Sequence, residues 1–348
     1  MKRRNFIRNI SALGATLPLM SFDKFSDIDQ EVKLIKATAL KQGDTVGLIT
    51  PGSYIDDEGL EKAVSNIESL GLKVKLAKNI RKVRGYTAGS VHERVSDIHQ
   101  MFSDKSVNAV WCARGGYGCS SLLPHLDYEL IKSNPKVFIG YSDITVLHQA
   151  IFKETSLVTF HGPVASSTFT DYTKKYFYSM LFSKDVPPEV VPSADNDLKS
   201  EKNVWYKPKT FKKGTSIGRL VGGNLSLINS LIGTQWELNY NNKILFLEDI
   251  GEAPYKIDRM LVQMNQVREF NSANAVVLGV FDDSEKPEDE LSLTLEEMFS
   301  DNFSDIKVPC SYGYSFGHIS DQFTLPLGVE VEVNSTKRTI KFLEAAVV

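Results

Sequence analysis

The sequence predicts an α/β fold in which an open parallel sheet of the flavodoxin or Rossmann-like kind comes first and a second α/β domain follows. In the first half, apolar runs of strand length alternate with stretches whose apolar residues recur at helical spacing. That alternation is typical of parallel strands whose connecting helices cover both faces of the sheet. A functional site is then expected beyond the carboxyl ends of the strands.

Individual elements can be assigned from these patterns. In the first half, one helix is indicated by Leu60, Val64, Ile67 and Leu70 on a single face, with Gly71 closing it. A second helix is predicted over residues 92–102. The predicted strands of that half are residues 45–50, 73–76, 108–113 and 137–139. In the second half, strands are predicted at 244–247, 275–278 and 329–333, with helices after Gly222-Gly223-Asn224 and over 257–264.

The length of 348 residues is sufficient for two ordinary domains. Residues 1–31 are predicted to be a leader and linker, and residues 32–165 the first domain, which carries the nucleophile. The pattern becomes polar and irregular over residues 166–214, where Pro187-Pro188 interrupts it. Because long unpatterned segments are uncommon inside a compact domain, this stretch is predicted to connect the domains. Residues 215–348 are predicted to form the second domain.

The composition argues against several classes of function. Apolar residues make up 42% of the chain and charged residues 24%, which is typical of a globular protein, and the formal net charge of −3 predicts no nucleic-acid-binding surface. The three cysteines, Cys112, Cys119 and Cys310, form no CxxC pair and predict neither a disulfide framework nor a zinc site. No metal-binding spacing groups the six histidines, and no cofactor is expected.

The N-terminus has the pattern of a twin-arginine export signal. Arg3 and Arg4 precede a modest apolar stretch over residues 10–20, which is too short to span a membrane. Periplasmic export is therefore predicted, although no clean A-x-A cleavage site follows. The alternative is a basic leader on a cytoplasmic protein.

The tetrapeptide Gly140-Tyr141-Ser142-Asp143 stands between a buried strand and a helical pattern. A serine at such a junction is typical of a nucleophile elbow, in which a tight turn exposes the hydroxyl and the next helix offers N–H groups to an oxyanion. Serine is also a favoured helix N-cap, and the spacing alone leaves both interpretations open. The glycine-rich loop of residues 114–118 follows another strand. It lacks the third glycine of a dinucleotide fingerprint, so it is interpreted as a loop that turns an N–H towards an oxyanion.

A nucleophilic serine requires a base and an acid that orients the base. Glu248 stands at the end of a predicted strand, and Glu252 follows on the same loop. His318 lies beside a glycine in a loop, although five other histidines compete with it. The order Ser142, Glu248, His318 matches the nucleophile–acid–base order of the α/β-hydrolases.

Taken together, the motifs of the chain resemble those of the LD-carboxypeptidase family of serine peptidases. The likeness extends from about Val46 to Val333. The segments that carry it are Ala113-Arg114-Gly115-Gly116-Tyr117-Gly118, Gly140-Tyr141-Ser142-Asp143-Ile144-Thr145, Phe160-His161-Gly162-Pro163, Gly222-Gly223-Asn224-Leu225, Leu247-Glu248-Asp249-Ile250-Gly251-Glu252, and Gly317-His318 with Leu325-Pro326-Leu327-Gly328.

The resemblance implies a Ser142–Glu248–His318 triad and an oxyanion hole formed by the backbone N–H groups of Gly116 and Asp143. It implies a C-terminal domain of the swivelling type and, because family members are often dimers, a homodimer. The implied reaction is removal of the C-terminal D-alanine from a murein tetrapeptide. Two alternatives stay open. One is an amidase that uses the same triad on an aminoacyl-adenylate or another amide, and the other is a binding module without activity.

Overall fold

Two β-sheets organise the chain in a computed structural model that describes residues 33–285 and 291–348. The first half supplies most of one sheet and the helices that cover it. Its strands are β1 (Thr45–Ile49), β2 (Lys73–Leu76), β3 (Ala109–Cys112), β4 (Val137–Gly140) and β5 (Phe160–His161). Its helices are α1 (Asp57–Ser69), α2 (Val91–Ser103), α3 (Tyr128–Ser133) and α4 (Thr145–Thr155). The predicted leader, residues 1–31, lies outside the described residues.

Local sequence accounts for these helices and strands. Ser90 and Glu93 form a reciprocal capping box at the start of α2, which satisfies backbone N–H groups that have no partner within the helix. Val95, Ile98 and Phe102 are buried on one face of that helix. Strands β3 and β4 are buried at every position, as expected for strands with helices on both sides.

The segment predicted to be irregular contains regular elements. They are α5 (Asp171–Leu181), α6 (Ala194–Lys199) and β6 (Lys209–Lys212). Thr170 caps α5, and Tyr176, Phe177 and Met180 of this helix are buried in the same core as the first sheet. The aromatic residues of α5 thus supply packing that its mixed polar pattern did not reveal.

The second half forms the second sheet and its helices. The strands are β7 (Thr215–Asn224), β8 (Lys243–Ile250), β9 (Ala275–Asp282), β10 (Cys310–Gly317), β11 (Leu325–Pro326), β12 (Glu330–Asn334) and β13 (Thr339–Phe342). The helices are α7 (Leu225–Ser230), α8 (Pro254–Val267) and α9 (Leu295–Phe303). The strand order is β13-β12-β7-β8-β9-β10-β6, and the pairs from β7 to β10 are parallel. The predicted α/β fold class is confirmed.

One strand from the second half joins the first sheet, whose order is β11-β5-β4-β3-β1-β2. Leu325 of β11 pairs antiparallel with His161 of β5. The C-terminus also returns to the beginning of the described chain, where Ala39 donates a backbone hydrogen bond to Val348. These links make residues 34–348 one compact unit. They also bring the loop before β11, which contains His318, to the first sheet.

Among the residues that the structure describes, no helix has both the length and the apolar character needed to cross a membrane.

Candidate active site

Ser142 lies in a strained turn between β4 and α4. Its φ angle is +65°, a left-handed conformation that is uncommon for a residue with a side chain and typical of a nucleophile elbow. Gly140 allows this turn, because a Cβ atom there would lie 3.0 Å from Cγ1 of Ile144. The N-cap position of α4 is Ile144, and no side chain caps the helix. Ser142 therefore does not cap helix α4, which excludes the alternative interpretation that the sequence allowed.

The glycine-rich loop after β3 packs directly against this turn. A Cβ atom on Gly115 would come within 2.8 Å of the Ser142 Cβ and 3.0 Å of its Oγ, so only glycine fits there. Gly116 has a φ of +97°, and a Cβ on it would lie 2.2 Å from the Ser53 Oγ. Within the described chain, no hydrogen bond occupies the Gly116 N–H. The loop can therefore offer this N–H group to a ligand beside Ser142.

The Asp143 carboxylate holds the glycine-rich loop in place. Its Oδ2 atom accepts a hydrogen bond of 2.8 Å from the Cys119 N–H. Burial raises the pKa of Asp143, and the hydrogen bonds from Cys119 and the charge of Arg94 partly oppose that rise. The Asp143 N–H lies in the first turn of a 3-10 helix, where N–H groups have no partner within the helix. The carboxylate is thus structural, and the N–H is the group available to an oxyanion.

Replacement of Gly116 with alanine is expected to lower kcat by about 10²- to 10³-fold, which is the usual effect of losing one oxyanion donor. The added methyl group would displace the loop because it would overlap Ser53. Gly85→Ala is a matched control, since Gly85 also has a positive φ, +59°, but no atom lies within 4 Å of its Cβ position. Steady-state kinetics that show equal losses in the two variants would contradict this role.

Glu248 and His318 form the hydrogen-bonded pair that a catalytic base requires. Glu248, near the end of β8, is completely buried, and its Oε2 atom lies 2.8 Å from Nδ1 of His318. His318 follows Gly317, the last residue of β10, where a Cβ would lie 3.3 Å from the Cβ of Glu248. When Nδ1 donates to the carboxylate, Nε2 carries the lone pair that can accept a proton. The His318 side chain is 13% exposed, so its ring is accessible from the cleft.

The electrostatic environment favours the charged form of this pair. Burial lowers the pKa of His318, but the charge and hydrogen bond of Glu248, with the charges of Asp249 and Asp282, outweigh it and raise the pKa overall. Burial likewise raises the pKa of Glu248, but the charge and hydrogen bond of His318 reverse that effect, so its pKa is lowered. Glu248 is therefore ionised at neutral pH and can stabilise an imidazolium.

A pH profile checks this environment. A base accepts protons only when it is neutral, so kcat/KM should fall as the pH drops through the pKa of His318 in the free enzyme. Because that pKa is raised, we expect the acidic limb to have its midpoint above the ordinary histidine value of about 6.5. A midpoint below that value would contradict the stabilising effect of Glu248.

Glu252, the competing acid, has another partner. Its Oε2 atom lies 3.0 Å from the Nζ atom of Lys256, four residues further along the chain, and forms an ion pair with it. Asp249 also has other partners, because its carboxylate accepts hydrogen bonds from Asn224 and Ser226. Among these acids, Glu248 alone is bonded to His318 in the described structure.

The sequence did not reveal that His161 lies beside the same carboxylate. Its Nε2 atom is 4.0 Å from Oε1 of Glu248, and both atoms are buried without a hydrogen-bond partner in the described structure. Burial lowers the pKa of His161 to about 4, so this ring is neutral at neutral pH. His148 is equally buried and bonds to the Gly140 carbonyl. Neither histidine lines the cleft that contains Ser142, whereas His318 does.

Residues from both sheets line one cleft of about 460 Å³. Gly116 and Ser142 lie in loops that follow strands of the first sheet. Asn224 and Asp249 lie in strands of the second sheet, and His318 directly follows one. The structure thus brings the predicted nucleophile Ser142, the predicted base His318 and the glycine-rich loop to the same cleft. Glu248 is buried behind His318 and is hydrogen-bonded to it.

This arrangement is that of a serine hydrolase with an α/β fold, because a strained serine and a carboxylate-bound histidine face a common cleft. The chain belongs to the LD-carboxypeptidase family. Residues 46–162 match the LD-carboxypeptidase N-terminal domain, and residues 217–333 match the LD-carboxypeptidase C-terminal domain. It is accordingly an enzyme of the carboxypeptidase class.

Similar proteins agree with this assignment. The chain is 40% identical over 309 residues to a probable murein peptide carboxypeptidase of Bacillus subtilis, covering 87% of this chain and 93% of that protein. It is 32% identical to the murein tetrapeptide carboxypeptidase of Pseudomonas aeruginosa over 81% of this chain and 91% of the relative. Among solved structures, an MccF-like protein from Bacillus anthracis superposes with a TM-score of 0.78 at 31% identity, covering 89% and 99% of the two chains.

Proposed function

We propose that this enzyme removes the C-terminal D-alanine from murein tetrapeptide stems, with Ser142 as nucleophile, His318 as base and Glu248 as orienting acid. The observation that carries the proposal is the 2.8 Å hydrogen bond between buried Glu248 and His318, on the cleft that Ser142 lines. The names of the relatives from Bacillus subtilis and Pseudomonas aeruginosa support murein peptides as the substrate class.

The first half of the reaction forms an acyl-enzyme. His318 Nε2 takes the proton of the Ser142 hydroxyl as Oγ attacks the carbonyl carbon before the terminal D-alanine. Glu248 keeps the imidazole in the required tautomer and stabilises the imidazolium. The N–H groups of Gly116 and Asp143 stabilise the oxyanion, and each such donor contributes about 3 kcal/mol. The imidazolium then donates its proton to the departing amine as the peptide C–N bond breaks.

The second half releases the shortened peptide. A water molecule gives a proton to His318 and attacks the ester carbonyl, and the same two N–H groups stabilise the second oxyanion. Collapse of this intermediate breaks the ester bond, and His318 returns a proton to Ser142 Oγ. The products are the tripeptide and free D-alanine, and the enzyme is regenerated.

A second candidate uses the same residues on a different amide. The microcin C7 self-immunity protein MccF of Escherichia coli is 28% identical over 88% of this chain. Its similarity favours an amidase that acts on an aminoacyl-adenylate as the alternative. Identity to the murein-peptide relative is higher, and we therefore prefer the carboxypeptidase.

Mass spectrometry distinguishes the two candidates. The purified protein is incubated separately with a murein tetrapeptide and with an aminoacyl-adenylate mimic. We expect the tetrapeptide to lose one alanine residue and the mimic to stay intact. Cleavage of the mimic alone would replace the proposal with the amidase, and cleavage of neither would contradict both candidate substrates.

We also propose that residues 1–31 export the enzyme to the periplasm by the twin-arginine route, where it would trim stems on the wall or on released muropeptides. The basis is the Arg3-Arg4 pair followed by a short apolar stretch. Cell fractionation of the native chain and of a variant with Arg3 and Arg4 both replaced by lysine tests this. Full-length protein confined to the cytosol in both cases would contradict export.

A further inference from the structure

We infer that Arg114 binds the C-terminal carboxylate of the substrate and makes the enzyme select free peptide ends. The inference rests on the proposed function and adds the residue that recognises the feature by which a carboxypeptidase substrate differs from an internal peptide bond. Three observations support it: Arg114 lies beside the nucleophile, it has no counter-ion in the described structure, and the acidic side chains near it already have other partners.

Arg114 lies next to the part of the loop that contacts the nucleophile. It precedes Gly115, whose Cβ position is only 3.0 Å from Ser142 Oγ, and its side chain lines the cleft. In a bound peptide, the carboxylate carbon of the leaving residue is three bonds from the carbonyl carbon under attack, which is a separation of about 4 Å at most. A residue that recognises this carboxylate must therefore come from the immediate surroundings of Ser142.

The guanidinium of Arg114 has unused hydrogen-bonding capacity. Its Nη1 atom donates to the Tyr54 carbonyl at 3.1 Å, and it forms no ion pair with a carboxylate in the described part of the chain. Arg94, the other arginine at this loop, is buried and donates to the carbonyls of Pro51 and Gly118. Arg94 thus supports the loop, whereas Arg114 has donors left to form the paired hydrogen bonds that suit a carboxylate.

The other charged side chains that line the cleft are mainly acidic, so binding of a substrate carboxylate requires a cation there. Asp56, Asp249 and Glu252 also line it, and each already has a local partner: Asp56 caps α1, Asp249 accepts hydrogen bonds at the start of α7, and Glu252 pairs with Lys256. Among the described side chains that line the cleft, Arg114 is the one permanent cation. Without it, the permanent charges that line the cleft would all be negative and would repel an anionic peptide end.

The test compares a murein tetrapeptide with the same peptide carrying a C-terminal amide. For Arg114→Gln we expect kcat/KM on the free acid to fall about 10- to 100-fold, mainly through KM, because one charge-assisted interaction is lost. Turnover of the amide should change little. Arg114→Lys keeps the charge without the planar fork and should lie between the two proteins. Arg84→Gln, which removes an exposed arginine outside the cleft lining, is the matched control.

Binding measured in a Ser142→Ala background separates this inference from the proposed function. Calorimetry should show that the protein prefers the free acid to the amide and that adding Arg114→Gln removes the preference. An equal loss of affinity for both peptides, or no loss for the free acid, would overturn the inference whether or not the enzyme turns the peptide over. Failure of the unmodified enzyme to release D-alanine would count against the proposed function alone.

Discussion

Replacement of Ser142 with alanine is expected to abolish the release of D-alanine from a murein tetrapeptide. Loss of the nucleophile in a serine peptidase lowers kcat by about 10⁶-fold, because only binding and the oxyanion donors remain. The strained φ of +65° is set by the turn and not by the hydroxyl group, so the variant should keep the fold. An assay of D-alanine release checks the loss of activity, and thermal unfolding checks that the fold is retained.

A serine far from the cleft provides the matched control. Ser103 is exposed on α2, and its hydroxyl bonds only to the carbonyl of Gln100 within the same helix. We expect Ser103→Ala to retain full activity under the same conditions. If Ser142→Ala kept a rate within an order of magnitude of the native enzyme, another residue would have to be the nucleophile.

Replacement of Glu248 with glutamine is the second change with a large expected effect. The amide removes the charge that stabilises the His318 imidazolium, and it can hold the ring in the wrong tautomer by donating to Nδ1. A corresponding change in a serine protease lowers kcat by about 10⁴-fold. We expect a loss of that order, with KM nearly unchanged because Glu248 is completely buried and does not contact the substrate.

Glu252→Gln is the control for this prediction, since Glu252 is the nearby acid that the sequence could not separate from Glu248. It pairs with Lys256 rather than with His318. We expect a far smaller loss of kcat and an unchanged midpoint for the acidic limb of the pH profile. Equal losses of kcat in the two variants would mean that the 2.8 Å hydrogen bond between Glu248 and His318 does not specifically support the base.

Much of the fold could be predicted from local pattern. Strands β1 to β4 and helices α1 and α2 were expected close to where they lie, because each combines a clear apolar period with a turn or cap residue at its end. Helix α5 was missed, although Tyr176, Phe177 and Met180 recur at helical spacing on its buried face. The lysines on its other face make the stretch polar in composition, and its packing depends on the aromatic residues meeting a distant core.

The pairing of β11 with the first sheet could not be read from the sequence. A strand of only two residues, Leu325–Pro326, has no measurable period, and its partner His161 is far away along the chain. The two predicted domains are consequently linked through a strand that belongs to one in sequence and to the other in the sheet. Their boundaries stay predictions.

For the candidate site, the sequence indicated which residues to consider but not how they contact one another. The resemblance to a family pointed to Ser142, Glu248 and His318, but only the structure brings Glu248 and His318 to 2.8 Å and leaves Glu252 apart. The contact between the Asp143 carboxylate and the Cys119 N–H depends on how two loops pack, which spacing does not encode. For the same reason, the place of His161 beside Glu248 had no signal in the sequence.

The central claim is that Ser142 cleaves the bond before a C-terminal D-alanine. Mass spectrometry of a murein tetrapeptide, incubated in parallel with the native enzyme and with Ser142→Ala, tests it most directly. The claim predicts conversion to the tripeptide with release of one D-alanine by the native enzyme, and an unchanged peptide with the variant. An intact tetrapeptide after incubation with the native enzyme, or equal conversion by both proteins, would contradict it.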